Sequence, residues 1–354
     1  MANTQTHTIG VIAGDGIGRE VIPAGIAALE KAARGGAVSI QFTELPWGCE
    51  YYTQHQRMLD EDGFDRLAAF DAVYLGALGA PGVSDVVSAG LILAIRQRFD
   101  QYVNLRPMRL LAGLSSPLAN RGAADIDRVC VRENSEGEYA GVGGRIHRGT
   151  PHEVAQQTGV FTRLGIERIL RYAFELATTR PRRMLASATK SNALTHSMVM
   201  WDEVAEIVRQ DYPSVDYRKY HVDALAARMV THPQTLDVIV ASNLFGDILT
   251  DIGSAISGSL GIAPGANINP GRQYPSMFEP IHGSAPDIAG KGIANPIGAI
   301  WAGALMLAHL GHRDLHDRVL GAIERVVAGG KIRTPDLGGT ATTKAMADAI
   351  VGEI

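Results

Sequence analysis

The chain has 354 residues, more than one hydrophobic core usually holds, which predicts two domains or one elaborated α/β domain. Hydrophobic residues make up 46% and charged residues 20% of it, and its net charge of -4 offers no basic excess to attract nucleic acid or anionic lipid. No apolar run reaches the roughly 20 residues of a bilayer span, and the first residues lack the pattern of a secretory signal, so we expect no membrane contact and a cytoplasmic location.

Short β-branched runs alternate with helical patterns over the first hundred residues. Strands are predicted at 6–14, 38–45 and 71–78, separated by helices at 19–33 and near 60–70. This order is typical of parallel strands crossed by helices.

The rhythm changes at Tyr102, where strand-like segments follow one another with little helix between them. We therefore place a domain crossing there. Further elements alternate after it, with predicted helices at 162–179 and 196–211 and predicted strands at 183–190, 215–222 and 237–243.

The segment that follows Gly258 is rich in Gly, Pro and Asn and is predicted to be a long irregular loop. Loops of this length in a compact protein usually carry function. A helix at about 295–311 and two further helices are predicted beyond it.

Only two cysteines occur, Cys49 and Cys130, and each lies in a strand-like run. They are too few and too far apart for a disulfide framework or a cysteine metal site. We interpret both as buried thiols of the core.

The segment "GDGIGRE" (14–20) joins a predicted strand to a predicted helix and superficially suggests a Rossmann dinucleotide site. That fingerprint requires G-x-G-x-x-G and an acidic residue about 20 positions later, and this sequence provides neither. The glycines are explained equally well by a tight turn that permits a close approach of the backbone.

The segment 243–258 predicts an amphipathic helix that carries two aspartates one turn apart, Asp247 and Asp251. Like charges at this spacing repel each other, so the pair either faces water or holds a cation. The residues predicted to face the core are Leu244, Ile248, Leu249, Ile252 and Ile256.

Arginines from three separate elements, Arg96, Arg106 and Arg132, are candidates for binding a small diacid, because guanidinium groups bind carboxylates in a bidentate manner. A surface role is the alternative for any one of them, although Arg132 ends an apolar strand, where a lone charge would be costly.

Lys190 and Tyr139 are candidate proton carriers, and the alternatives are a surface lysine and a packed aromatic ring. Asp223 begins a helix, where it either caps the helix or supplies a third carboxylate. Three carboxylates without a Cys or His cluster form a hard ligand set that suits Mg2+ or Mn2+.

The motifs resemble those of the metal-dependent β-decarboxylating dehydrogenases, a family that includes isocitrate, isopropylmalate and tartrate/D-malate dehydrogenases. The matching segments, in order, are "GDGIGREV", "LRP", "VRENSEGEYAG", "TKSN", "ASNLFGDILTDIG" and "EPIHGSAPDIAGKGIANP". The resemblance covers essentially the whole chain and is greatest to the tartrate/D-malate branch.

This resemblance implies two α/β domains that share a mixed central sheet, a fold distinct from the Rossmann fold. The large cofactor-binding domain would comprise residues 1–101 and 259–354. The small domain, 102–258, would carry dimerisation, metal and substrate residues and an arm near 141–161 that reaches a partner subunit.

The resemblance also assigns roles to the candidate residues. Arg96, Arg106 and Arg132 would bind the substrate carboxylates. Asp247 and Asp251, with Asp223 of a second subunit, would bind Mn2+ or Mg2+. Lys190, also from that subunit, would take the hydroxyl proton, and Tyr139 would assist protonation at C3. A homodimer with shared sites follows, and K+ is a further expected ion.

By the same resemblance, NAD would bind in the loop "EPIHGSAPDIAGKGIANP" (279–296). The expected contacts are Asn192, Glu279, His282, Gly283, Ser284, Ala285, Asp287 and Asn295. The carboxylate of Asp287 would accept hydrogen bonds from ribose hydroxyls and repel a 2′-phosphate. The resemblance therefore favours NAD over NADP.

Ile92 and Leu93 lie one turn before Arg96 and predict apolar contacts for the group on the substrate's C3. The expected reaction is oxidative decarboxylation of (R)-malate to pyruvate and CO2, with tartrate as a further substrate. The alternatives are 3-isopropylmalate dehydrogenase and a noncatalytic NAD-binding regulatory subunit.

Overall fold

Twelve strands are formed by residues 5–354, the part of the chain that the computed structural model describes. They are β1 (Gln5–Gly14), β2 (Val38–Glu44), β3 (Ala72–Ala77), β4 (Val103–Arg109), β5 (Asp127–Glu133), β6 (Gly137–Ile146), β7 (Val154–Val160), β8 (Met184–Thr189), β9 (Asp216–His221), β10 (Val238–Ala241), β11 (Pro264–Ile268) and β12 (Ser276–Pro280).

The same residues form eleven α-helices. They are α1 (Gly18–Ala33), α2 (Cys49–His55), α3 (Gly63–Ala68), α4 (Asp85–Arg98), α5 (Arg163–Thr179), α6 (Ser197–Val208), α7 (Val222–Thr231), α8 (Asn243–Ile256), α9 (Ile297–His309), α10 (Arg313–Gly329) and α11 (Thr343–Glu353). No helix within residues 5–354 is both long enough and apolar enough to cross a lipid bilayer.

The chain divides into two units. Unit 1 comprises residues 1–101, 109–123 and 254–354, and unit 2 comprises residues 102–108 and 124–253. The chain leaves unit 1 near residue 101 and returns to it finally at residue 254. Unit 1 therefore combines an N-terminal and a C-terminal part of the sequence.

Unit 1 is built on strands in the order β2-β1-β3-β12-β11. β1 runs parallel to β2 and β3, β12 runs parallel to β3, and β11 is antiparallel to β12. Every residue of β3 is buried, as expected for a parallel strand that is covered on both faces. Helix α9 is also almost entirely buried, and a side chain at Gly303 would meet Leu29 of α1 at 2.9 Å.

Unit 2 contains strands in the order β4-β5-β10-β8-β9, in which β5, β10, β8 and β9 are mutually parallel. Thr162, the residue before helix α5, caps the helix because its hydroxyl accepts a hydrogen bond from the Gly165 amide. A separate antiparallel hairpin, β6 and β7, leaves Val142, Ile146 and Val154 exposed.

Three details differ from the sequence predictions. Cys49 begins helix α2 rather than lying in a strand, although both cysteines are free and buried. Burial raises the pKa of the Cys49 thiol to about 11 and that of Cys130 to about 12.

The predicted loop after Gly258 contains the two strands β11 and β12, whose residues are all buried. Ile248, predicted to face the core, is 53% exposed.

Arg128 at the start of β5 is an unusual buried charge. It is 1% exposed, and none of its three guanidinium nitrogens has a hydrogen-bond partner among the described residues. Burial, reinforced by Arg182, lowers the pKa of Arg128 to about 10. The nearby Arg180, by contrast, forms ion pairs with Asp127 and with Asp237, which is itself buried.

We therefore expect Arg128→Met to raise the free energy of unfolding by about 1 to 3 kcal/mol, because it removes a desolvated charge that has no close partner. The matched variant Arg180→Met should lower it by about 3 kcal/mol, because Asp237 would stay buried and unpaired. Urea unfolding of both variants measures the difference. A loss of stability in Arg128→Met would contradict this account.

Candidate active site

The two aspartates of helix α8 lie on one face of unit 2, one turn apart. The side chain of Asp247 is 37% exposed and that of Asp251 is 66% exposed. Burial raises the pKa of Asp251, while nearby Arg106 lowers it. Their mutual repulsion therefore has to be offset by neighbouring positive charge.

Two buried arginines supply that charge. Arg132 forms a close ion pair with Asp247 through Nη1. Nη1 of Arg106 lies 3.5 Å from Oδ1 of Asp247 and 4.0 Å from Oδ1 of Asp251. The side chains of Arg106 and Arg132 are only 9% and 3% exposed. Asp247 is thus paired with buried positive charge, while Asp251 stays mostly exposed to solvent.

Polar side chains hold Arg106 in this position. Its Nε donates to the Asn104 side chain at 2.7 Å, and its Nη1 donates to the Thr250 hydroxyl at 2.7 Å. Both partners are fully buried. Neither residue can be predicted from the sequence, because a single amide or hydroxyl carries no periodic signal.

Tyr139 contacts the same cluster. Its hydroxyl donates to Oδ2 of Asp247 at 2.9 Å, and its ring lies 5.4 Å from the guanidinium carbon of Arg132. Asp247 therefore binds an arginine through one oxygen and a phenol through the other. The half-buried hydroxyl of Tyr139 is a polar group of the site as well as part of a packed ring.

Lys190 and Asp223 form a second cluster in unit 2. Lys190 follows β8 and Asp223 lies at the start of α7 after β9, so both lie at the carboxyl ends of paired parallel strands. Nζ of Lys190 is 2.7 Å from Oδ1 of Asp223, and this hydrogen bond lowers the pKa of Asp223. The side chain of Asp223 is 68% exposed.

Within residues 5–354 of one chain, no three His, Cys, Asp or Glu residues are grouped in a way that could hold a metal ion. The neighbours of Asp247 and Asp251 are two arginines and a tyrosine, and Asp223 forms its ion pair with Lys190. The carboxylate oxygens of Asp247 and Asp251 suit a hard divalent cation, but they supply only two of its protein ligands.

Arg96 and Glu279 form a buried pair in unit 1. Nη2 of Arg96 donates to Oε1 of Glu279 at 3.0 Å, and the Asn267 amide donates to the same oxygen at 2.7 Å. Glu279, expected to contact the cofactor, thus also has partners within the protein. Ile92 packs against the core of unit 1, and Leu93 is half-buried on the same helix, α4.

The loop after β12 contains most of the predicted cofactor residues. Nδ1 of His282 is 3.0 Å from the Gly283 carbonyl, which can only accept, so Nδ1 carries the hydrogen. Nε2 then presents a lone pair that is shielded from solvent and has no partner among the described residues. Burial lowers the pKa of His282, which keeps the ring neutral. This buried acceptor could accept a hydrogen bond from the amino group of a nucleobase.

The remaining predicted residues of this loop differ in exposure. Asp287 and Gly283 are exposed, and Ala285 has a left-handed backbone with φ of 43°. Asn295 is buried, where it donates to Asp336 at 2.9 Å and accepts from the Ile297 amide. In unit 2, Asn192 is exposed in the turn after Lys190.

The "GDGIG" turn supports this loop. The Ile17 amide donates to the Ser284 carbonyl at 2.9 Å, and a side chain at Gly16 would come within 2.0 Å of that oxygen. Asp15 is buried and accepts hydrogen bonds from the amides of Cys49 and Gly79. The glycines therefore permit a close approach of the backbone to the protein's own loop.

The chain matches known proteins over nearly its whole length. Residues 8–350 match the model of the isocitrate/isopropylmalate dehydrogenase family. The D-malate dehydrogenase (decarboxylating) of Escherichia coli K12 is 54% identical over 354 residues, covering 98% of each chain. A probable tartrate dehydrogenase/decarboxylase of Agrobacterium vitis is 53% identical over 352 residues, covering 99% of this chain and 98% of that protein.

A solved structure, that of isocitrate dehydrogenase from Methylococcus capsulatus, has a TM-score of 0.88 at 35% identity and covers 98% of this chain and 99% of its own. The predicted fold class, α/β and similar to isopropylmalate dehydrogenase, is confirmed. The predicted resemblance to the tartrate/D-malate branch is also confirmed.

We expect Gly16→Ala to destabilise the loop at Ser284, because the added methyl group would overlap a carbonyl oxygen. Gly35→Ala is a matched control, since Gly35 has a similar positive φ (75° against 53°) but no atom within 4 Å of the added group. The control should cost about 1 to 2 kcal/mol of unfolding free energy, and Gly16→Ala clearly more.

Urea unfolding and amide hydrogen exchange of residues 282–289 measure these effects. Equal losses of stability in the two variants, with unchanged exchange at Ser284, would contradict the proposed close packing.

Proposed function

The chain belongs to the isocitrate/isopropylmalate dehydrogenase family, and from this premise we propose that it catalyses the NAD- and Mn2+/Mg2+-dependent oxidative decarboxylation of (R)-malate to pyruvate and CO2, with tartrate as a further substrate. It is an oxidoreductase of the decarboxylating 2-hydroxy acid dehydrogenase class. Two relatives with more than half of their residues identical are named for D-malate and tartrate, which favours this reaction over the isopropylmalate and regulatory-subunit alternatives.

The observation that carries the proposal is the convergence of Arg106 and Arg132 on the two aspartates of α8. Two guanidinium groups suit the carboxylates of a small diacid. Two carboxylates suit a divalent cation. One face of unit 2 therefore has the charges to bind both a dicarboxylate and a divalent cation.

The proposal assigns a role to each of the candidate site residues. Arg96, Arg106 and Arg132 bind the substrate carboxylates, and Lys190 takes the proton of the C2 hydroxyl at Nζ. Its hydrogen bond to Asp223 fixes the position of that nitrogen. After the C4 carboxylate leaves as CO2, Tyr139 delivers a proton to C3, and pyruvate results.

Bound NAD would supply the hydride acceptor for the oxidation, and a divalent cation held by the aspartates would supply Lewis-acid chemistry. The loop after β12 would hold NAD, with the neutral His282 presenting Nε2 to the adenine amino group. Glu279, Gly283, Ser284, Ala285, Asn295 and Asn192 are the further proposed contacts.

A homodimer completes the proposal. Asp247 and Asp251 would be joined by Asp223 of a second subunit, which also lends Lys190. The exposure of the Asp223 side chain, of Ile248 on α8 and of the apolar residues on the β6–β7 hairpin supports such an association. We further propose that residues 1–101 and 259–354 form the cofactor-binding domain and that residues 102–258 form the dimerisation and metal/substrate domain. A cytoplasmic location and the binding of K+ belong to the same proposal.

We expect the purified protein, given NAD and Mn2+, to convert (R)-malate to pyruvate with release of CO2 and to oxidise tartrate. Catalytic efficiency with isopropylmalate and isocitrate should be at least about 100-fold lower, or about 3 kcal/mol of transition-state discrimination. EDTA should abolish turnover and added Mn2+ should restore it. Preference for isopropylmalate would support that alternative, and NAD binding without turnover would support the regulatory subunit.

Asp287 should determine the choice of nucleotide. Its exposed carboxylate would accept hydrogen bonds from the ribose hydroxyls and repel a 2′-phosphate, so the efficiency ratio of NAD to NADP should be about 100 or more. Asp287→Lys should lower this ratio by at least tenfold. Asp65→Lys, which makes the same change at an exposed site on α3, should leave it unchanged. A wild-type ratio near one would refute the assignment.

A further inference from the structure

The first turn of helix α8 makes further hydrogen bonds to Arg132 besides the ion pair with Asp247. Oδ1 of Asn243 accepts hydrogen bonds from Nε of Arg132 at 3.0 Å and from Nη2 at 2.8 Å. Nη1 forms the close contact with Asp247. Residues 243 and 247, one helical turn apart, thus bind different edges of the same guanidinium group.

The orientation of the Asn243 amide is itself fixed. Nδ2 donates to the Glu136 carbonyl at 3.0 Å, which turns Oδ1 toward Arg132. Asn243 and Arg132 are 1% and 2% exposed, so water has little access to replace these bonds. Loss of the Asn243 acceptor would leave donors of a buried guanidinium without their partner, which is costly.

Gly246 provides the space for the stem of the same arginine. A side chain at this position would lie 2.6 Å from Cγ and 2.7 Å from Cβ of Arg132. Glycine within a helix costs about 1 kcal/mol relative to alanine, so helix propensity alone disfavours it here. The missing side chain instead allows Arg132 to lie flat against α8.

We propose that Asn243 and Gly246 are positioning residues that fix the guanidinium of Arg132 for the substrate carboxylate. This inference rests on the proposed function, because it assumes that Arg132 binds the diacid. Neither residue has to touch the substrate. Asn243 sets the rotation of the guanidinium plane, and Gly246 sets its distance from the helix.

The arrangement links two binding tasks to one rigid element. Asn243 and Gly246, which direct the arginine, and Asp247, a proposed cation ligand, belong to one turn of α8. The relative position of the anion-binding and cation-binding groups is therefore fixed by helix geometry rather than by loop conformation.

The test compares Asn243→Ala and Gly246→Ala with the wild-type enzyme, using kcat, KM for (R)-malate, KM for NAD and Tm. Both variants should raise KM for (R)-malate by about 10-fold or more, while KM for NAD changes by less than about twofold. Calorimetric titration of (R)-malate into the Mn2+-loaded enzyme without NAD should show the same weakening.

Asn269→Ala is the matched structural control. Asn269 is a buried asparagine of unit 1 that donates to the carbonyls of Phe99 and Asp100 and accepts from the Gln273 amide. This variant should lower Tm without changing KM for (R)-malate. Gly246→Ala keeps the Asn243 side chain and its hydrogen bond to the Glu136 carbonyl and has the better helix former, so it tests the proposal even when Asn243→Ala folds poorly.

A double-mutant cycle separates positioning from general packing. In an Arg132→Lys background, Asn243→Ala should change KM for (R)-malate by less than about twofold, because lysine lacks the planar guanidinium group that Asn243 orients. Unchanged KM in both single variants of an active enzyme, or an equal further increase in the Arg132→Lys background, would overturn the proposal. Lack of turnover by the wild-type protein would refute the proposed function instead.

Discussion

The ion pair between Arg132 and Asp247 is the interaction on which unit 2 depends. Two carboxylates stacked on one helix face would repel each other, and the chain counters this with two buried guanidinium groups. Attraction between such groups is strong where water is scarce, but each group is also costly to bury alone. Loss of Asp247 would therefore remove the carboxylate that compensates two buried guanidinium groups, whereas Asp251, whose side chain is 66% exposed, contributes less to this compensation.

This balance has a consequence for what the site accepts. Arg106 and Arg132 carry two positive charges, and Asp247 and Asp251 carry two negative charges. A divalent cation alone, or a dicarboxylate alone, would upset the neutrality of a half-buried cluster. A divalent cation together with a dicarboxylate adds no net charge. The formal charges of the cluster are thus compatible with the proposed binding of a divalent cation together with a diacid.

The sequence allowed the main elements and the principal charges to be predicted, because both leave local patterns. Hydrophobic period and β-branched runs identified strands such as β3 and helices such as α5. Strands β11 and β12 were not predicted because each has only five residues and is defined by tertiary pairing; β11 also contains Pro, Gly and Asn, and β12 ends at a Pro. The hydrogen bonds of Asn104, Asn243 and Thr250 to the two arginines were also not predicted, since such bonds leave no recurring pattern in the sequence.

The "GDGIG" turn shows how a motif that suggests a ligand can serve the fold instead. Its Gly16 approaches the Ser284 carbonyl, and its Asp15 accepts amide hydrogen bonds from two other segments of unit 1. In a Rossmann site the same absence of side chains would let a pyrophosphate approach the backbone. Here a protein carbonyl occupies that position next to the glycine, so the turn shapes the loop that carries His282. A fingerprint of glycines therefore indicates close approach, and only the three-dimensional partner reveals whether the approaching group is a ligand or the chain itself.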